Sequence, residues 1–468
     1  MNKNIYLLSL AAALLFAHGC GQRDASSVSP AIARDAEIEA KVENVLKGMD
    51  LTEKVGQMIQ LTSSTVTVQG KPEIDPDKLQ KVIGEMKVGS ILNTFADVAQ
   101  SRELTAKLVS EIQKKSMEEI GIPCIYGLDM IHGASYLTDA TFFPQEINLA
   151  ATFNREYARA MGEAMAYETR AAMVPWVFSP VMDLGRNPVW PRHWESFGED
   201  PYLNAEMAVA ETKALQGDDP NHIDDKHAAV SVKHFMAYGV PVSGKDRTPA
   251  LVPENELREK YFRPFKDCLE AGALTLMVNS ASINGIPTHA NKELLTGWVK
   301  DDMDWDGLIV TDWADINNLF ERDHVAKDRK EALAMGINAG IDMIMEPYDP
   351  SCCTELKEVV EAGMIPMSRI DDAVRRVLRL KFRLGLFDNP TWDVSGFDRF
   401  ACKEFQDASY AAAVESEVLL KNDGNILPFE YGKRILVTGP NANSMRSLNG
   451  GWSYTWQGDA DRFAGEYN

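Results

Sequence analysis

Short apolar runs without polar alternation recur along the chain, separated by roughly 30 to 55 residues, and most of them end in a polar side chain. A strand that is covered on both faces needs an uninterrupted run of this kind, and the intervals leave room for a crossover helix. The clearest runs lie at residues 122–129, 176–183, 228–235, 274–280, 307–312 and 341–346, and shorter ones lie at 59–61 and 88–92. The pattern therefore predicts buried parallel strands that alternate with helices.

Eight such units across residues 37–388 favour a TIM-like (β/α)8 barrel. A doubly wound parallel sheet is the main structural alternative. That alternative is typically marked by a GxGxxG loop after an early strand, and the sequence has no such loop, since GGWSYTWQG at 450–458 does not match it. We therefore expect the barrel.

The pattern changes after LKFRLGLFDNP, where Gly385 and Pro390 end a long predicted helix. Residues 389–428 are predicted to be an interdomain linker. RILVTGPNA at 434–442 has the composition of one more buried parallel strand, and 26 residues follow it. Because a lone parallel strand cannot cover both of its faces, we expect residues 429–468 to be the beginning of a second α/β sandwich domain that is incomplete in this chain.

The N-terminal residues have the organisation of an export signal. Lys3 precedes an apolar run of about a dozen residues, which is shorter than the ~20 residues of a membrane-spanning helix. Residues 1–19 are predicted to be a signal peptide, and residues 20–36 an exposed linker. LFAHGC resembles a bacterial lipobox in which Cys20 is lipidated, and ordinary cleavage into the periplasm is the alternative. We expect an exported protein that is periplasmic or anchored in the outer membrane of a bacterium.

Charge and cysteine content exclude several classes of partner. The chain has 48 basic and 69 acidic side chains, a net charge of −21 that repels phosphate backbones and anionic lipid headgroups. Nucleic-acid binding is disfavoured, and a membrane contact is expected only through the N-terminal lipid anchor. The cysteines after Cys20 form no CxxC pair and no Cys/His ligand spacing, so we expect buried thiols and predict neither a metal nor a cofactor.

Polar residues close several of the predicted strands, among them Asp129, Lys233, His234 and Asp312. In a barrel of this class the strand ends meet at one face, and active sites lie there. A carboxylate beside cationic groups stays ionised, which suits a nucleophile, and such a mixed polar set can bind sugar hydroxyls. Each residue taken alone fits a helix N-cap or a structural ion pair equally well.

An ordered series of segments extends this pattern along nearly all of the chain that follows the predicted signal peptide. The segments are GLDMIHG (127–133), FPQEINLAATFN (143–154), VFSPVMDLGRNPVWPRHWESFGEDPYL (177–203), VKHFMAYG (232–239), MVNSASINGIP (277–287), GLIVTDW (307–313), LLKNDGNILP (419–428) and GGWSYTWQG (450–458). At these residues the chain resembles glycoside hydrolase family 3, the retaining β-glucosidases and exo-β-glucanases.

The resemblance implies that Asp312 is the catalytic nucleophile, which attacks the anomeric carbon and forms a covalent glycosyl-enzyme. It implies that Trp313 walls the sugar site and that Asp129 binds the hydroxyls at C4 and C6, where an Asp favours glucose. The residues that it implies for the remaining hydroxyls, the pocket floor and the next sugar are Arg192, Lys233, His234, Met277 and Trp456. For Trp452, stacking on the sugar and packing in the core both stay open.

The resemblance also implies a missing group. Retaining hydrolysis needs a second carboxyl group as acid and base, and in two-domain relatives this Glu lies well beyond GGWSYTWQG, so we expect it to be absent from this chain. Relatives that act on N-acetylglucosamine use a His/Asp pair in the loop after KHF instead. Here that loop, residues 236–250, has no His and only Asp246. Ser280 and Pro191 depart from residues that are common in the family.

The sequence thus predicts a retaining β-glucosidase that acts on terminal non-reducing β-D-glucosyl residues of β-glucosides or β-glucan oligosaccharides, with impaired turnover. One alternative is a truncated sugar-binding or scaffold protein that keeps the same pocket. A second is a β-N-acetylhexosaminidase of the same family, and a third is a metal-dependent barrel hydrolase.

Overall fold

Eight parallel strands form the centre of the protein in the computed structural model, which describes residues 29–458. The predicted signal peptide and Cys20 lie outside these described residues. The strands are β1 (Ile59–Thr62), β2 (Ser90–Leu92), β3 (Ile125–Leu128), β4 (Trp176–Val177), β5 (Ala229–Phe235), β6 (Thr275–Val278), β7 (Leu308–Val310) and β8 (Ile344–Met345). Each strand lies within or overlaps one predicted apolar run.

Neighbouring strands in space are also neighbours in sequence. The sheet runs from β1 to β7 in chain order, and β8 pairs with β1 in parallel. Between β7 and β8 the barrel closes through backbone hydrogen bonds from Met343 N to Ile309 O (3.1 Å) and from Thr311 N to Met343 O (3.1 Å). This closed parallel order is that of a (β/α)8 barrel, so the predicted fold class is confirmed and the doubly wound sheet is excluded.

The strands are buried along their whole length. Side chains that point inward fill the barrel, and those that point outward pack under the helices, which is why the runs show no alternation. Burial of each large aliphatic side chain contributes roughly 1.5–3 kcal/mol. The short β4 fits its position, because Pro175 and Pro180 flank it and cannot donate ladder hydrogen bonds.

Helices cover the outside of the barrel. Asp50 and Glu53 form a reciprocal capping box at the start of Leu51–Gln57. Gly340, at a φ of 131°, ends Arg329–Ala339. The remaining barrel helices are Ala36–Gly48, Pro76–Leu79, Gln80–Glu85, Arg102–Glu119, Glu146–Ala151, Arg155–Arg170, Pro201–Gln216, Glu254–Glu256, Leu257–Phe262, Arg263–Glu270, Glu293–Asp301, Asp315–Glu321, Cys352–Glu361 and Met367–Arg383.

Residues 389–415, which were predicted as linker, pack against the barrel. Trp392 donates its indole N–H to the carbonyl of Arg170 (2.9 Å), and the Arg170 guanidinium lies 3.9 Å from the Trp392 ring centroid. The helix Lys403–Glu415 buries Phe405. Burial of these aromatic side chains against the barrel stabilises this packed arrangement of the predicted linker.

The prediction of a strand at 434–442 is wrong, because the structure forms no strand there. Leu436 and Val437 are 85% and 72% exposed. Within residues 29–458 no other strand lies beside this segment to complete its hydrogen bonds or to cover its faces, so its apolar composition alone does not make it a strand.

The last described residues, 450–458, return to the barrel. Ala99 N donates to Tyr454 O (2.8 Å), and Tyr454 N donates to Ser135 O (2.9 Å). Gln145 Nε2 donates to the carbonyl of Gly451 (3.0 Å). These contacts bring the two tryptophans of this segment to the strand ends.

The cysteines that follow Cys20 are free thiols, and four of them are buried as expected, whereas Cys402 is partly exposed. Among the described helices, none combines the length and the apolarity that a bilayer crossing requires.

Candidate active site

The carboxyl ends of the strands surround a cavity of about 440 Å³. Asp129 follows β3 directly, Lys233 and His234 lie near the end of β5, and Asp312 follows β7 by two residues. The barrel order therefore brings together side chains that are far apart in sequence. All eight residues predicted for the sugar site line this one cavity: Asp129, Arg192, Lys233, His234, Met277, Asp312, Trp313 and Trp456.

The two carboxylate oxygens of Asp312 differ in their surroundings. Oδ1 accepts a hydrogen bond from the backbone N–H of Trp313 (2.6 Å), which fixes the carboxylate plane. Oδ2 is buried and has no hydrogen-bond partner within the described residues. It lies 4.0 Å from His234 Nε2. One oxygen is thus held by the backbone, and the other keeps its lone pairs free for a bond to carbon.

Asp129 and Lys233 form an ion pair on another wall of the cavity. Lys233 Nζ donates to Asp129 Oδ1 (2.5 Å) and lies 4.9 Å from the centroid of the Trp452 ring. Burial raises the pKa of Asp129, and the positive charge of Lys233 partly offsets this. The two side chains hold each other in place while their remaining lone pairs and protons stay available to hydroxyls.

His234 is a neutral imidazole whose tautomer follows from its contacts. Arg192 Nη2 lies 3.3 Å from His234 Nε2, and because a guanidinium only donates, Nε2 must accept. The proton therefore sits on Nδ1, which donates to Asp183 Oδ2 (2.7 Å). Burial, followed by the charges of Arg192 and Lys233, lowers the pKa of His234 well below its ordinary value.

Arg192 is held by a bidentate pair with Glu195. Arg192 Nε donates to Oε1 (2.9 Å) and Nη2 donates to Oε2 (2.7 Å), and both side chains are buried. Nη1 donates to the hydroxyl of Tyr238 (3.3 Å). The planar fork fixes the guanidinium at the cavity wall, so little conformational entropy is lost when a ligand binds.

Aromatic side chains form the mouth of the cavity. The Trp313 ring packs edge-on against Tyr348, with 5.6 Å between the centroids. Trp456 is 51% exposed, whereas Trp452 is 8% exposed and lies beside it with 6.4 Å between the ring centroids. A ligand can therefore reach the face of Trp456, while the largely buried Trp452 lies against Lys233 and also lines the cavity.

Sequence reasoning did not predict every residue of the site, and Asp183 and Arg247 are two charged examples. Asp183 ends the run 176–183 in the same way that Asp129 ends its own run. This position at a strand end could have predicted Asp183 as a site residue. Arg247 lies in the loop 236–250 and lines the cavity, but no periodic pattern predicts where a loop side chain points. Burial lowers the pKa of Arg247 and the charge of Asp312 raises it, with a net rise.

The carboxylates that line the cavity within the described residues are Asp97, Asp129 and Asp312. No described glutamate lines it. Glu195 is tied to Arg192, as described above. Glu346 accepts a hydrogen bond from Asn317 (2.9 Å) outside the cavity lining, where burial raises its pKa to about 7.

Ser280, one of the departures from the family pattern, lies behind the nucleophile. Its hydroxyl donates to Asp315 Oδ1 (2.8 Å) and not to Asp312. Burial and the negative charge of Asp312 raise the pKa of Asp315 to about 7. Ser280 therefore supports a second buried carboxyl group next to the nucleophile.

The imidazoles near Asp312 are engaged in hydrogen bonds within the protein. His289 Nε2 accepts the backbone N–H of Asp312 (3.3 Å), and His234 contacts Asp183 and Arg192. Within residues 29–458 no group of three or more His, Cys, Asp or Glu side chains is arranged to hold a metal ion.

Comparison with known proteins gives the family. The model of the glycosyl hydrolase family 3 N terminal domain matches residues 50–380. The chain belongs to this family.

Its relatives include the lysosomal beta glucosidase of Dictyostelium discoideum, which is 40% identical over 434 residues, 89% of this chain and 53% of that protein. The periplasmic beta-glucosidase of Salmonella typhimurium is 31% identical over 427 residues, 89% of this chain and 52% of that protein. The chain spans about half the length of these curated relatives.

A crystal structure shows the same architecture. The Q683A mutant of the exo-1,3/1,4-beta-glucanase from a Pseudoalteromonas species superimposes with a TM-score of 0.83 at 31% identity, and the match covers 91% of this chain and 68% of that one.

Proposed function

We propose that this chain acts on terminal non-reducing β-D-glucosyl residues as the barrel of a retaining β-glucosidase, with Asp312 as the nucleophile. The observation that carries the proposal is the free Oδ2 of Asp312 at the wall of a sugar-sized cavity. Relatives named beta glucosidase and exo-1,3/1,4-beta-glucanase support β-glucosides or β-glucan oligosaccharides as the substrate class.

In the first step Asp312 Oδ2 bonds to C1 of the sugar as the C1–O bond to the leaving group breaks. The leaving oxygen takes up a proton from solvent water, and a second water later attacks C1, returns a proton to solvent and releases Asp312 as a carboxylate. Arg192, Lys233 and Arg247 line the same cavity, so three cationic side chains surround the nucleophile.

The remaining side chains bind and orient the glucosyl unit. The fixed Asp129–Lys233 pair and the Arg192 guanidinium offer donors and acceptors to the hydroxyls, and Met277 contributes an apolar surface. Trp456 stacks on the next sugar, since its indole face is accessible. Loop 236–250 contributes Arg247 and no His, which argues against the hexosaminidase alternative.

A sugar-binding protein without efficient turnover is the second candidate, and one observation favours it. Among the described residues no glutamate lines the cavity, and Asp129 is paired with Lys233. Without a general acid the rate falls by about 10² to 10⁴, least for substrates whose leaving groups need no proton. Compared with a complete enzyme, this chain should therefore lose far less activity toward activated aryl glucosides than toward cellobiose.

Labelling separates the two candidates. The protein is incubated with a 2-deoxy-2-fluoro-β-glucoside that carries an activated leaving group, and peptides are analysed by mass spectrometry. The enzyme proposal expects a glycosyl adduct on Asp312. Glucose binding by calorimetry without any adduct would instead establish the sugar-binding protein.

We also propose export, a lipid anchor on Cys20 and the domain division at residues 37–388, 389–428 and 429–468. The apolar N-terminal run and the relative named periplasmic support export. Metabolic labelling with a fatty-acid analogue in a bacterial host tests the anchor, because Cys20→Ser should abolish the label. Persistence of the label in that variant would contradict lipidation at Cys20.

A further inference from the structure

Two buried glutamates lie behind the sugar cavity. Glu146 begins the helix Glu146–Ala151, and Glu211 lies in the helix Pro201–Gln216; neither has measurable exposed surface. Nothing in the proposed reaction uses them directly. A fully buried carboxylate is costly unless its charge is compensated or neutralised.

One oxygen of each carboxyl group holds the same backbone segment. Glu146 Oε1 accepts the backbone N–H of Val181 (3.1 Å), and Glu211 Oε1 accepts the hydroxyl of Ser179 (2.6 Å). Ser179 and Val181 are two residues apart, directly after β4. Carboxyl groups from two different helices therefore hold one short segment.

The second oxygen of each group lacks a partner. Glu146 Oε2 and Glu211 Oε2 are both buried without a hydrogen bond to any described residue. Two buried acceptors held at the same segment would both be satisfied by one proton between them, because one carboxyl group then donates and the other accepts.

We propose that Glu146 and Glu211 hold one proton between their Oε2 atoms and act as a positioning pair for the sugar cavity. One carboxyl group donates its O–H to the other, and no proton leaves the pair during a turnover. Their positioning role rests on the proposed sugar site, whereas the shared proton does not.

The electrostatic surroundings agree with this arrangement. Burial, then the charge of Glu211, raises the pKa of Glu146, while Lys233 lowers it and Glu195 raises it. Burial raises the pKa of Glu211, and the Ser179 hydroxyl lowers it. The buried thiol of Cys268 also faces Glu211, and its own pKa is raised by burial, so it stays neutral.

The held segment contacts the sugar-binding residues through the backbone. Lys233 N donates to Pro180 O (3.1 Å), and Met182 N donates to Lys233 O (2.6 Å). Asp183, the partner of His234, follows immediately. A shift of the segment would therefore move Lys233 and the His234 support together.

Infrared difference spectroscopy at neutral pH tests the shared proton. The variant E146Q/E211Q replaces both acids with amides of the same shape, and E206Q, on the same helix but partly exposed in a pair with Arg155, is the control. We expect the wild type minus double-variant spectrum to show one buried carboxylic acid and one carboxylate. Two carboxylates and no acid, or the same difference spectrum for E206Q, would overturn the shared proton.

Stability as a function of pH gives an independent sign. A raised folded-state pKa means that the pair stabilises the fold most below the ordinary glutamate pKa and loses this contribution as pH rises through the folded value. As pH rises, the unfolding free energy of the wild type should therefore fall relative to that of E146Q/E211Q. A shift in the opposite direction would contradict the proposal.

Glucose binding by calorimetry tests the positioning role. E211L leaves Glu146 without a donor and Ser179 without its acceptor, so we expect about tenfold weaker binding. The double amide variant should bind within about threefold of wild type, since amides can replace the hydrogen bonds. S179A provides the same readout if E211L does not fold. Wild-type affinity in E211L, or in S179A in that case, would exclude positioning, whereas failure of the wild type to bind glucose would contradict the proposed function and leave the infrared result intact.

Discussion

The carboxyl edge of the barrel and the segment 417–449 differ in whether their side chains have partners. At the barrel edge, charged groups are matched in pairs, such as the buried Lys233 with the half-buried Asp129. In the segment, large apolar groups face solvent, with Leu420 at 91% and Leu436 at 85% exposure. Charged groups at the barrel edge are paired with other described residues, whereas these apolar side chains of the segment are not covered by any described residue. An apolar run therefore forms a buried strand only where neighbouring strands and helices cover its faces.

The largest effect should come from removing the nucleophile at the barrel edge. Asp312→Asn keeps the shape and the acceptor for Trp313 N–H but cannot form the glycosyl ester. Loss of a covalent nucleophile lowers kcat by about 10⁴-fold or more. Release of the aryl group from an activated β-glucoside, followed in the steady state, measures this.

Asp139→Asn is the matched control for that experiment. Asp139 is exposed and has a positive φ, which Asn tolerates. Its rate should equal that of the wild type. Full activity in Asp312→Asn would show that another residue is the nucleophile and would contradict the proposed active site at the barrel edge.

The next largest effect concerns the stability of the paired charges. Lys233→Met leaves Asp129 without its cation in a site that already raises its pKa, and breaking a buried pair costs about 3–5 kcal/mol. The free energy of unfolding from denaturant titration gives this value. Lys233→Met with Asp129→Asn should recover part of the loss, because the unpaired charge is gone.

Lys245→Met, on the exposed part of the nearby loop, is the control and should change stability by about 0.5 kcal/mol or less. Equal losses for Lys233→Met and Lys245→Met would show that the pair is not buried as described.

The comparison itself is tested by one truncation in each region. Ile309→Ala in β7 removes buried carbon and should cost about 2–5 kcal/mol. Leu436→Ala removes exposed carbon and should change the unfolding free energy by about 0.5 kcal/mol or less. A loss at Leu436 as large as that at Ile309 would mean that the segment is buried after all.

The barrel was readable from the sequence because its strands are buried on both faces and leave unbroken apolar runs. The same reasoning misplaced 434–442, since composition does not report whether a neighbouring strand exists. Polar strand ends such as Asp312 were visible as the residues that close the runs. Arg247 was not, because a side chain on an irregular loop is aimed by tertiary contacts and follows no period.

The return of residues 450–458 to the barrel edge gives the smallest predicted effect. Trp456→Ala should weaken binding of a β-linked glucose disaccharide by about 2- to 10-fold, the range of one accessible aromatic contact, and should leave binding of glucose alone unchanged. Calorimetric titration with both sugars measures the difference, and Trp456→Phe should retain part of the affinity. An equal loss for glucose and the disaccharide would mean that Trp456 shapes the first sugar site, so that the boundary between the barrel edge and the segment would have to be drawn differently.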